Sequence, residues 1–503
     1  MGAMPRLVTT HDVDATGRDR LLTPRDDVVA EREVGEGRFA LAEGPLREYD
    51  RSVTVEPGAD GRFAVREEIH YRLGIPYWGW LFALPARSAL RNWRRPRRFQ
   101  PWWLPAERLD TRSAAVLGTL AGTALIAGYL STVVGQTMAF AADEFGATDT
   151  DQANALGAVR IGVLVALGII AVADRRGRRV VMLVAVVAGV FTTATGALAP
   201  SLPWLTASQL VSRSFTTTLG VLLAVMVVEE MPKGSRAYGI SVVGMSGAVG
   251  AGVCVMALPL ADLGDRGWRL VYLIPLFGLV LVPGLARRLP ESQRFHPERS
   301  GEVTMAGHWR RLALIATTLL CINLFVAPAS QFRNEYLDDE LGWSSSLITA
   351  FILITSTLGG IGVFIGGRLA DVFGRRLIGA TLLVPGLTLV ALLYVSSGPT
   401  VWLVGFLGTA FAGAVGPALA VYGPELFPSA IRNRANGGIS IVQVIGSVIG
   451  LQIAGRISDA HDRLAPGMFV LLVGPVAAAL LLWRRYPETT RRELEEINPE
   501  DSV

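Results

Sequence analysis

The sequence is poor in the residues from which disulfide frameworks, metal centres and phosphate sites are built. Its 503 residues include two cysteines, five histidines and one lysine. Cys254 and Cys321 lie in apolar segments, where a thiol behaves as a small hydrophobic group, so we expect no disulfide framework. Lys233 follows no glycine-rich loop, which excludes the phosphate-binding lysine of an ATP-driven pump. The apolar segments hold no cluster with metal-ligand spacing, so we expect no metal or other cofactor.

Long apolar runs dominate what is present. Hydrophobic residues make up 51% of the chain, and charged residues crowd into its first part and into short interruptions between apolar runs. Twelve mainly apolar segments are each near the ~20 residues that a helix needs to cross ~30 Å of hydrocarbon. They begin near Ser113, Ala153, Val180, Pro203, Ala237, Trp268, Arg310, Ser344, Leu377, Val401, Asn433 and Pro466. The sequence therefore predicts an all-α membrane protein with twelve transmembrane helices.

Basic residues are distributed unevenly between the loops on the two sides. With the N-terminus inside, the inner loops carry most arginines, such as Arg175, Arg287 and Arg484, and the outer loops carry acids such as Asp149 and Asp338. Positively charged loops stay on the cytoplasmic side. We therefore expect a multi-pass protein of the cytoplasmic membrane with both termini in the cytoplasm.

Four pairs of landmarks recur at one period. The members of each pair lie 197 (371 − 174, 487 − 290), 196 (432 − 236) or 195 (425 − 230) positions apart. The pairs are Asp174 and Asp371, Pro290 and Pro487, Arg236 and Arg432, and Glu230 and Glu425. Because six spans per copy is an even number, the two copies are parallel repeats. We predict transmembrane halves at residues 113–295 and 310–487, joined by a cytoplasmic linker at 296–309 and followed by a cytoplasmic tail at 488–503.

The landmarks resemble those of the major facilitator superfamily. "GRLADVFGRR" (Gly367 to Arg376) matches its loop motif after helices two and eight, and "ADRRGRR" (Ala173 to Arg179) is a shorter copy, with Ile170 where the motif has glycine. "PESQRF", "ELFPSAIR" and "PETTRRELEEI" are similar to three signatures of its sugar porter branch. The resemblance covers Ser113 to Ile497. It implies a secondary transporter of a small molecule that works by alternating access and is not an enzyme.

The repeated charged residues suggest a conformational latch. An Asp at one helix end can accept hydrogen bonds from the positive N-terminal end of a neighbouring helix, and the adjacent Arg can reach a carboxylate. Such contacts would form only when the cytoplasmic ends are closed; the alternative is that the arginines merely anchor topology. The predicted latch of the first half is Asp174, Arg178, Glu230, Arg236 and Glu291, and that of the second is Asp371, Arg375, Glu425, Arg432 and Glu488.

Polar residues that the repeat does not copy are candidates for substrate binding. A charge within the bilayer costs several kcal/mol unless it is paired or faces water. Arg213 matches an arginine that many superfamily members keep in helix four, Arg160 lies shallower in span two, and Arg333 lies near an outer end. Each has an alternative as a structural ion pair, Arg160 with Asp143 or Glu144 and Arg333 with Glu335. The candidate substrate ligands are Arg213, Arg160, Gln136, Asn323, Gln331 and Tyr422.

The sequence departs from the sugar porters at positions that concern the cargo. Leu130 replaces the helix-one acid that can pair with the helix-four arginine and carry a proton, and Ala420 replaces a sugar-stacking tryptophan. We therefore expect a small organic anion, with protons as an additional candidate partner. A sugar, a hydrophobic compound for export, or a membrane-embedded sensor are the alternatives.

The first 112 residues do not match the family. Residues 1–36 are polar and lack periodicity, so we expect a disordered cytoplasmic tail. Alternation from Val53 to Leu73 predicts a small antiparallel sheet within residues 37–112. After it come five tryptophans and six arginines, which we interpret as an interfacial segment on anionic inner-leaflet lipid and not as a nucleic-acid site. They are Trp78, Trp80, Trp93, Trp102, Trp103, Arg87, Arg91, Arg94, Arg95, Arg97 and Arg98.

Overall fold

The computed structural model describes residues 5–58, 62–91, 103–147, 149–291, 305–461 and 463–501. It describes the backbone alone at residues 149, 150, 153, 174, 262, 306, 339, 345, 346 and 459. The chain forms two compact units, residues 1–120 and residues 121–503.

The first unit is built on a five-stranded antiparallel sheet in the order β1-β5-β4-β3-β2. Alternating residues of the central strands form one buried face, where Phe39, Val53 and Val65 pack with Leu21 of the first helix. This confirms the sheet that the alternation predicted. The strands are β1 (Arg6–Val13), β2 (Ala30–Gly35), β3 (Arg38–Glu43), β4 (Leu46–Pro57) and β5 (Phe63–Leu73); the helices are α1 (Ala15–Leu21) and α2 (Gly79–Arg91).

An ion-pair network lies within this buried face. Arg51 donates to Glu31 at 2.7 and 2.9 Å and to Glu67 at 3.2 Å, and its guanidinium stacks 4.1 Å from the ring centroid of Phe39. The Tyr49 hydroxyl donates to Glu31 at 2.5 Å. Burial, together with the charge of Glu31, raises the pKa of Tyr49. Removing one partner of such a group would leave a buried charge unpaired.

The expectation that residues 1–36 are disordered is wrong for the part that the structure describes. β1 pairs with β5 from Arg6 to Val13, and β2 pairs with β3. Both are edge strands, and Leu7 is the one fully buried residue of β1, so their sequences show little of the alternation on which the prediction depended. Strand pairing orders both segments, and every β1 partner lies at least fifty residues later.

Helix α2 is fixed to the sheet at its C-terminal end. Leu90 is buried in the sheet core, and Arg25 donates to the Leu90 carbonyl at 2.8 Å, which satisfies a carbonyl at the end of the helix. The N-terminal part of α2 is open, with Trp80 and Leu84 75% and 76% exposed. Trp93, Trp102 and the four arginines of residues 94–98 lie outside the described residues.

The second unit, together with the end of the first, contains the helices long and apolar enough to cross a membrane. Twelve such spans are found in the described residues. The first six are span 1, α3 (Thr111–Phe145); span 2, α4 (Asp149–Arg160) and α5 (Gly162–Arg176); span 3, α6 (Arg178–Ala194); span 4, α7 (Leu202–Glu230); span 5, α8 (Arg236–Met256); and span 6, α9 (Trp268–Leu273), α10 (Pro275–Gly278) and α11 (Val282–Arg288).

The second six spans repeat this order. They are span 7, α12 (Trp309–Gln331) and α13 (Arg333–Glu335); span 8, α14 (Ser345–Phe373); span 9, α15 (Arg375–Leu392); span 10, α16 (Pro399–Ala420) and α17 (Tyr422–Glu425); span 11, α18 (Arg432–His461); and span 12, α19 (Ala465–Leu471) and α20 (Val473–Arg485). A short helix, α21 (Leu494–Ile497), follows in the tail. The all-α fold with two parallel six-helix repeats is confirmed, and each predicted segment begins within four residues of a span start. Residues 296–304 of the predicted linker, and residues 292–295 before it, lie outside the described residues.

Candidate transport site and gate

Two glycine turns form matching corners at one end of the bundle, which we call the motif end. Gly177 (φ 97°) and Gly374 (φ 109°) separate spans 2 and 3 and spans 8 and 9. This left-handed backbone favours glycine. A Cβ would also lie 2.4 Å from Glu291 at the first turn and 2.8 Å from Glu488 at the second. The glycine of the motif is therefore required by both the backbone and the neighbouring carboxylate.

Glu291 and Glu488 cap the helices that start after these turns. Glu291 accepts from the amides of Arg178 (2.8 Å) and Arg179 (3.2 Å). An acidic side chain at a helix N-terminus satisfies free amides and is favoured by the helix dipole. Glu488 accepts from the amides of Arg375 and Arg376, both at 3.1 Å.

The pKa of Glu488 reflects this capping role. Burial by itself raises it, but hydrogen bonds from Thr490 and from the amides of Arg375 and Arg376 outweigh burial and hold the pKa below its ordinary value. The capping carboxylate is therefore stabilised in its charged form.

Asp371 joins the two halves. Its fully buried carboxylate, at the end of span 8, accepts from the amides of Ala237 (3.2 Å) and Tyr238 (2.8 Å) at the start of span 5. The unpaired amides of a helix N-terminus attract a negative charge, which explains an Asp at this position. The side chain of Asp174, the matching residue of the first copy, lies outside the described residues.

Two buried glutamates each receive two arginines, one from each half. Glu425 accepts from Arg375 of its own half and from Arg236 of the first half at 2.9 Å. Glu229 accepts from Arg178 of its own half at 3.1 Å and from Arg432 of the second half at 2.5 Å. The predicted assignment of one latch to each half is therefore corrected, because the two sets interlock across the halves.

The structure also replaces Glu230 by Glu229 in this arrangement. Glu229 is 4% exposed and holds the two arginines, whereas Glu230 is half-buried one residue further around the helix. The sequence contained a signal for this choice. Glu229 lies 196 positions before Glu425 (425 − 229), the same interval that separates Arg236 from Arg432, while Glu230 lies 195 before it.

The C-terminal tail supplies contacts at the motif end that sequence reasoning missed. Asn498, fully buried, accepts from Arg311 at 2.8 Å and donates to the Glu425 carbonyl at 2.7 Å. Asp501 accepts from Arg432 at 3.1 Å and from the Ser429 amide at 2.9 Å. No motif marks either residue, and the contacts arise because the tail folds back along the motif end.

The departure of the first copy from the loop motif is compensated in the neighbouring span. In span 8, Gly367 lies against span 5, where an added Cβ would come 2.7 Å from Ser241. In span 2, the bulky Ile170 stands at the matching position, and the small residue is Gly437 of span 11, whose added Cβ would lie 3.4 Å from Ile170. In the second copy the glycine belongs to the motif span, and in the first copy it belongs to the neighbouring span. Both interfaces therefore pair a glycine with a larger residue and remain closely packed.

The interiors of the spans contain arginines but no carboxylates. Every Asp or Glu within the twelve spans lies within three residues of a span end. Arg160 and Arg213 lie further in, on spans 2 and 4. An added Cβ at Gly162, two residues after Arg160, would lie 3.0 Å from the Arg213 Cβ, so the two arginines belong to adjacent, closely packed helices.

Arg160 and Arg213 have no acidic partner among the side chains that the structure describes. The charged side chain that acts electrostatically on Arg213 is Arg160, a like charge. Glu144, considered above as a partner of Arg160, is instead bound by Arg269 at 2.9 Å and by Trp268 at 2.8 Å. The alternative of a pair with Glu144 is therefore not observed.

The remaining predicted ligands are scattered. Gln136 and Gln331 are exposed on spans 1 and 7. Asn323 donates to the Leu319 carbonyl at 2.9 Å within its own helix. Tyr422 lies apart from the other predicted ligands. It is fully buried at the motif end, where its ring packs 4.8 Å from that of Tyr486.

Two six-span halves interlocked by repeated motifs define a class of membrane transporters. The model of the Major Facilitator Superfamily matches residues 120–376 and 313–502, and the chain belongs to that superfamily. It is a multi-pass membrane protein of a superfamily of transporters, which are not enzymes.

Relatives are similar over part of their length. The citrate-proton symporter of Klebsiella pneumoniae is 28% identical over 252 residues, 44% of this chain and 53% of the relative. The cis,cis-muconate transport protein of Acinetobacter baylyi is 24% identical over 206 residues, 37% and 49% of the two chains. The chain thus spans about half the length of these relatives. The proton:xylose symporter XylE shares the fold, with a TM-score of 0.66 at 17% identity over 76% of this chain and 98% of that one.

Proposed function

We propose that the protein moves a small organic anion across the cytoplasmic membrane by alternating access, with Arg213 and Arg160 as the anchor for its carboxylate. The observation that carries this proposal is the pair of arginines on adjacent spans with no acidic partner among the described side chains. Two like charges inside a membrane protein repel one another and each costs several kcal/mol when removed from water. A bound carboxylate relieves both costs through charge-assisted, bidentate hydrogen bonds.

Two relatives support an anionic cargo. Citrate and cis,cis-muconate, which their names give as cargo, are carboxylates. Leu130 also supports it, because a helix-one acid at that position would neutralise Arg213. A neutral sugar would leave both arginines without a counter-charge.

Proton coupling is the second part of the proposal, and the name of the citrate-proton symporter supports it. The spans offer no carboxylate away from their ends. The cotransported proton would therefore bind either the carboxylate of the substrate itself or a carboxylate at the motif end.

Orientation and lipid contact complete the proposal. The arginine-rich motif end faces the cytoplasm, in accordance with the positive-inside rule, and both termini lie on that side. Trp80, Leu81 and Leu84 of α2, followed by Arg87 and Arg91 on the same side of the helix, contact anionic lipid of the inner leaflet.

Uptake into proteoliposomes tests the cargo and the anchor together. We expect labelled mono-, di- or tricarboxylates to be taken up, faster with a pH gradient, and neutral sugars and cationic dyes to be excluded. Arg213→Lys keeps the charge but loses the planar fork, so carboxylate affinity should fall by about 10-fold or more. Arg213→Gln should abolish uptake.

Arg287→Lys is the matched control, because Arg287 is exposed at the end of span 6. It should transport normally. If Arg213→Lys and Arg213→Gln also transport normally, the anchor is elsewhere. Uptake of a sugar by the unmodified protein would overturn the anionic cargo itself.

A further inference from the structure

A cavity of about 470 Å³ lies inside the second half, between spans 7, 8, 9 and 10. Its volume is within the range of about 300–1,000 Å³ that small-molecule sites occupy. The walls are mainly apolar and include Phe325, Phe351, Leu383 and Leu387. Such walls favour the hydrocarbon part of a ligand over water.

One cation faces this cavity. Arg333 lines it, and the Arg333 Nε is buried with no hydrogen-bond partner among the described residues. No described carboxylate lies within 4.0 Å of its guanidinium, so the pair with Glu335 considered from the sequence does not form in this structure. The charge is half-buried at a place where an unpaired guanidinium is costly.

We infer that this cavity is a second binding site, which takes an amphipathic anion with its charged group on Arg333 and its apolar chain between the four spans. It is separate from the arginine pair of the first half. The anion is either a free alkyl carboxylate or an anionic lipid, since both combine one negative group with hydrocarbon. This second site does not depend on the proposed function, because it uses different residues and is tested by binding and not by transport.

Gly416 offers a way to fill the cavity without disturbing the fold. It lines the cavity, and no atom lies within 4 Å of a Cβ placed there. A leucine at this position therefore extends into the empty space. Gly360 of span 8 is equally open but does not line the cavity, so Gly360→Leu is the matched control.

Octanoate binding to the full-length protein in phosphatidylcholine nanodiscs, measured by calorimetry, tests the inference. We expect saturable binding that weakens about 10-fold or more in Arg333→Gln, weakens less in Arg333→Lys, and is lost in Gly416→Leu. Gly360→Leu should bind as the unmodified protein does, and in Arg213→Gln the binding that depends on Arg333 should remain. Nanodiscs that contain phosphatidylglycerol distinguish the two candidate ligands. If the site takes an anionic lipid, phosphatidylglycerol should compete with octanoate and weaken its binding. If the site takes a free alkyl carboxylate, octanoate binding should be unchanged.

Three outcomes would overturn the inference. They are octanoate binding that survives in Gly416→Leu, binding unaffected in both Arg333 variants, and binding lost in Arg213→Gln but kept in Arg333→Gln. The last would place the anion at the arginine pair and leave the proposed function intact. If Arg333→Gln fails to fold, as judged by its thermal unfolding, the Gly416→Leu and Gly360→Leu pair still decides.

Discussion

Single residues at the motif end, Glu229 and Glu425, show why arginine is the basic residue in these contacts. Each carboxylate accepts from two guanidiniums that approach from different halves, and all six side chains are buried. A guanidinium stays charged and presents several donors in a plane, so it can satisfy a shared, buried carboxylate. Loss of one carboxylate would remove the partner that two buried arginines share.

The assignment of the arginine contacts to Glu229, and not to the neighbouring Glu230, gives a testable prediction. Glu229→Gln should lower the free energy of unfolding by about 3–5 kcal/mol, because it removes the buried carboxylate that Arg178 and Arg432 share, although Arg432 keeps its contact with Asp501. Glu230→Gln is the matched control, since Glu230 is half-buried and holds neither arginine. Thermal unfolding of the purified variants measures both, and equal shifts would contradict the assignment to Glu229.

Helix α2 matters at the scale of an element, because its two sides have different partners. Leu90 packs into the sheet, while Trp80, Leu81 and Leu84 are 50–76% exposed and Arg87 and Arg91 follow on their side of the helix. An apolar stripe that continues into basic residues fits the surface of an anionic leaflet.

A spin label at Leu84→Cys tests this contact in nanodiscs of anionic lipid, after Cys254 and Cys321 are replaced by alanine. We expect the label to be more accessible to oxygen than to a water-soluble nickel complex. Val34→Cys is the control, because Val34 is 54% exposed on β2 and lies outside the stripe. If both labels show the same preference for nickel, α2 does not contact lipid.

At the scale of the whole molecule, the two halves contact each other at the motif end. Asp371 of the second half accepts from two backbone amides at the start of span 5 in the first half. Asp371→Asn removes a charge from the start of span 5 without changing volume. The lost interaction of about 0.5–2 kcal/mol would shift the ratio of closed to open states about 2- to 30-fold.

Labelling of Ser241→Cys by a maleimide measures this shift, because Ser241 is fully buried beside Gly367 when the motif end is closed. We expect faster labelling in Asp371→Asn. Glu340→Gln, an equivalent change at the opposite end, where Glu340 accepts from the Leu464 amide, should not accelerate it. Equal labelling with and without Asp371→Asn would show that these residues do not latch the halves.

The sequence by itself determined the spans, the repeat and the family. A bilayer imposes runs of about 20 apolar residues whatever the tertiary contacts are, and two copies of one unit carry the same landmarks at the same interval. The sequence also predicted that an Asp such as Asp371 accepts from the N-terminal end of a neighbouring helix, because such an end attracts a negative charge.

Only the tertiary structure decided which groups meet. Asp371 and the Ala237 amide are 134 residues apart, and Arg432 and Glu229 are 203 apart, so no spacing rule connects them. The pairing of Glu229, the contacts of Asn498 and Asp501, and the order of residues 6–35 all depend on such distant partners. The sequence around Asn498 and Asp501 and in residues 6–35 shows no clear periodicity, and the free energy that orders these segments comes from contacts that exist only once the chain is folded.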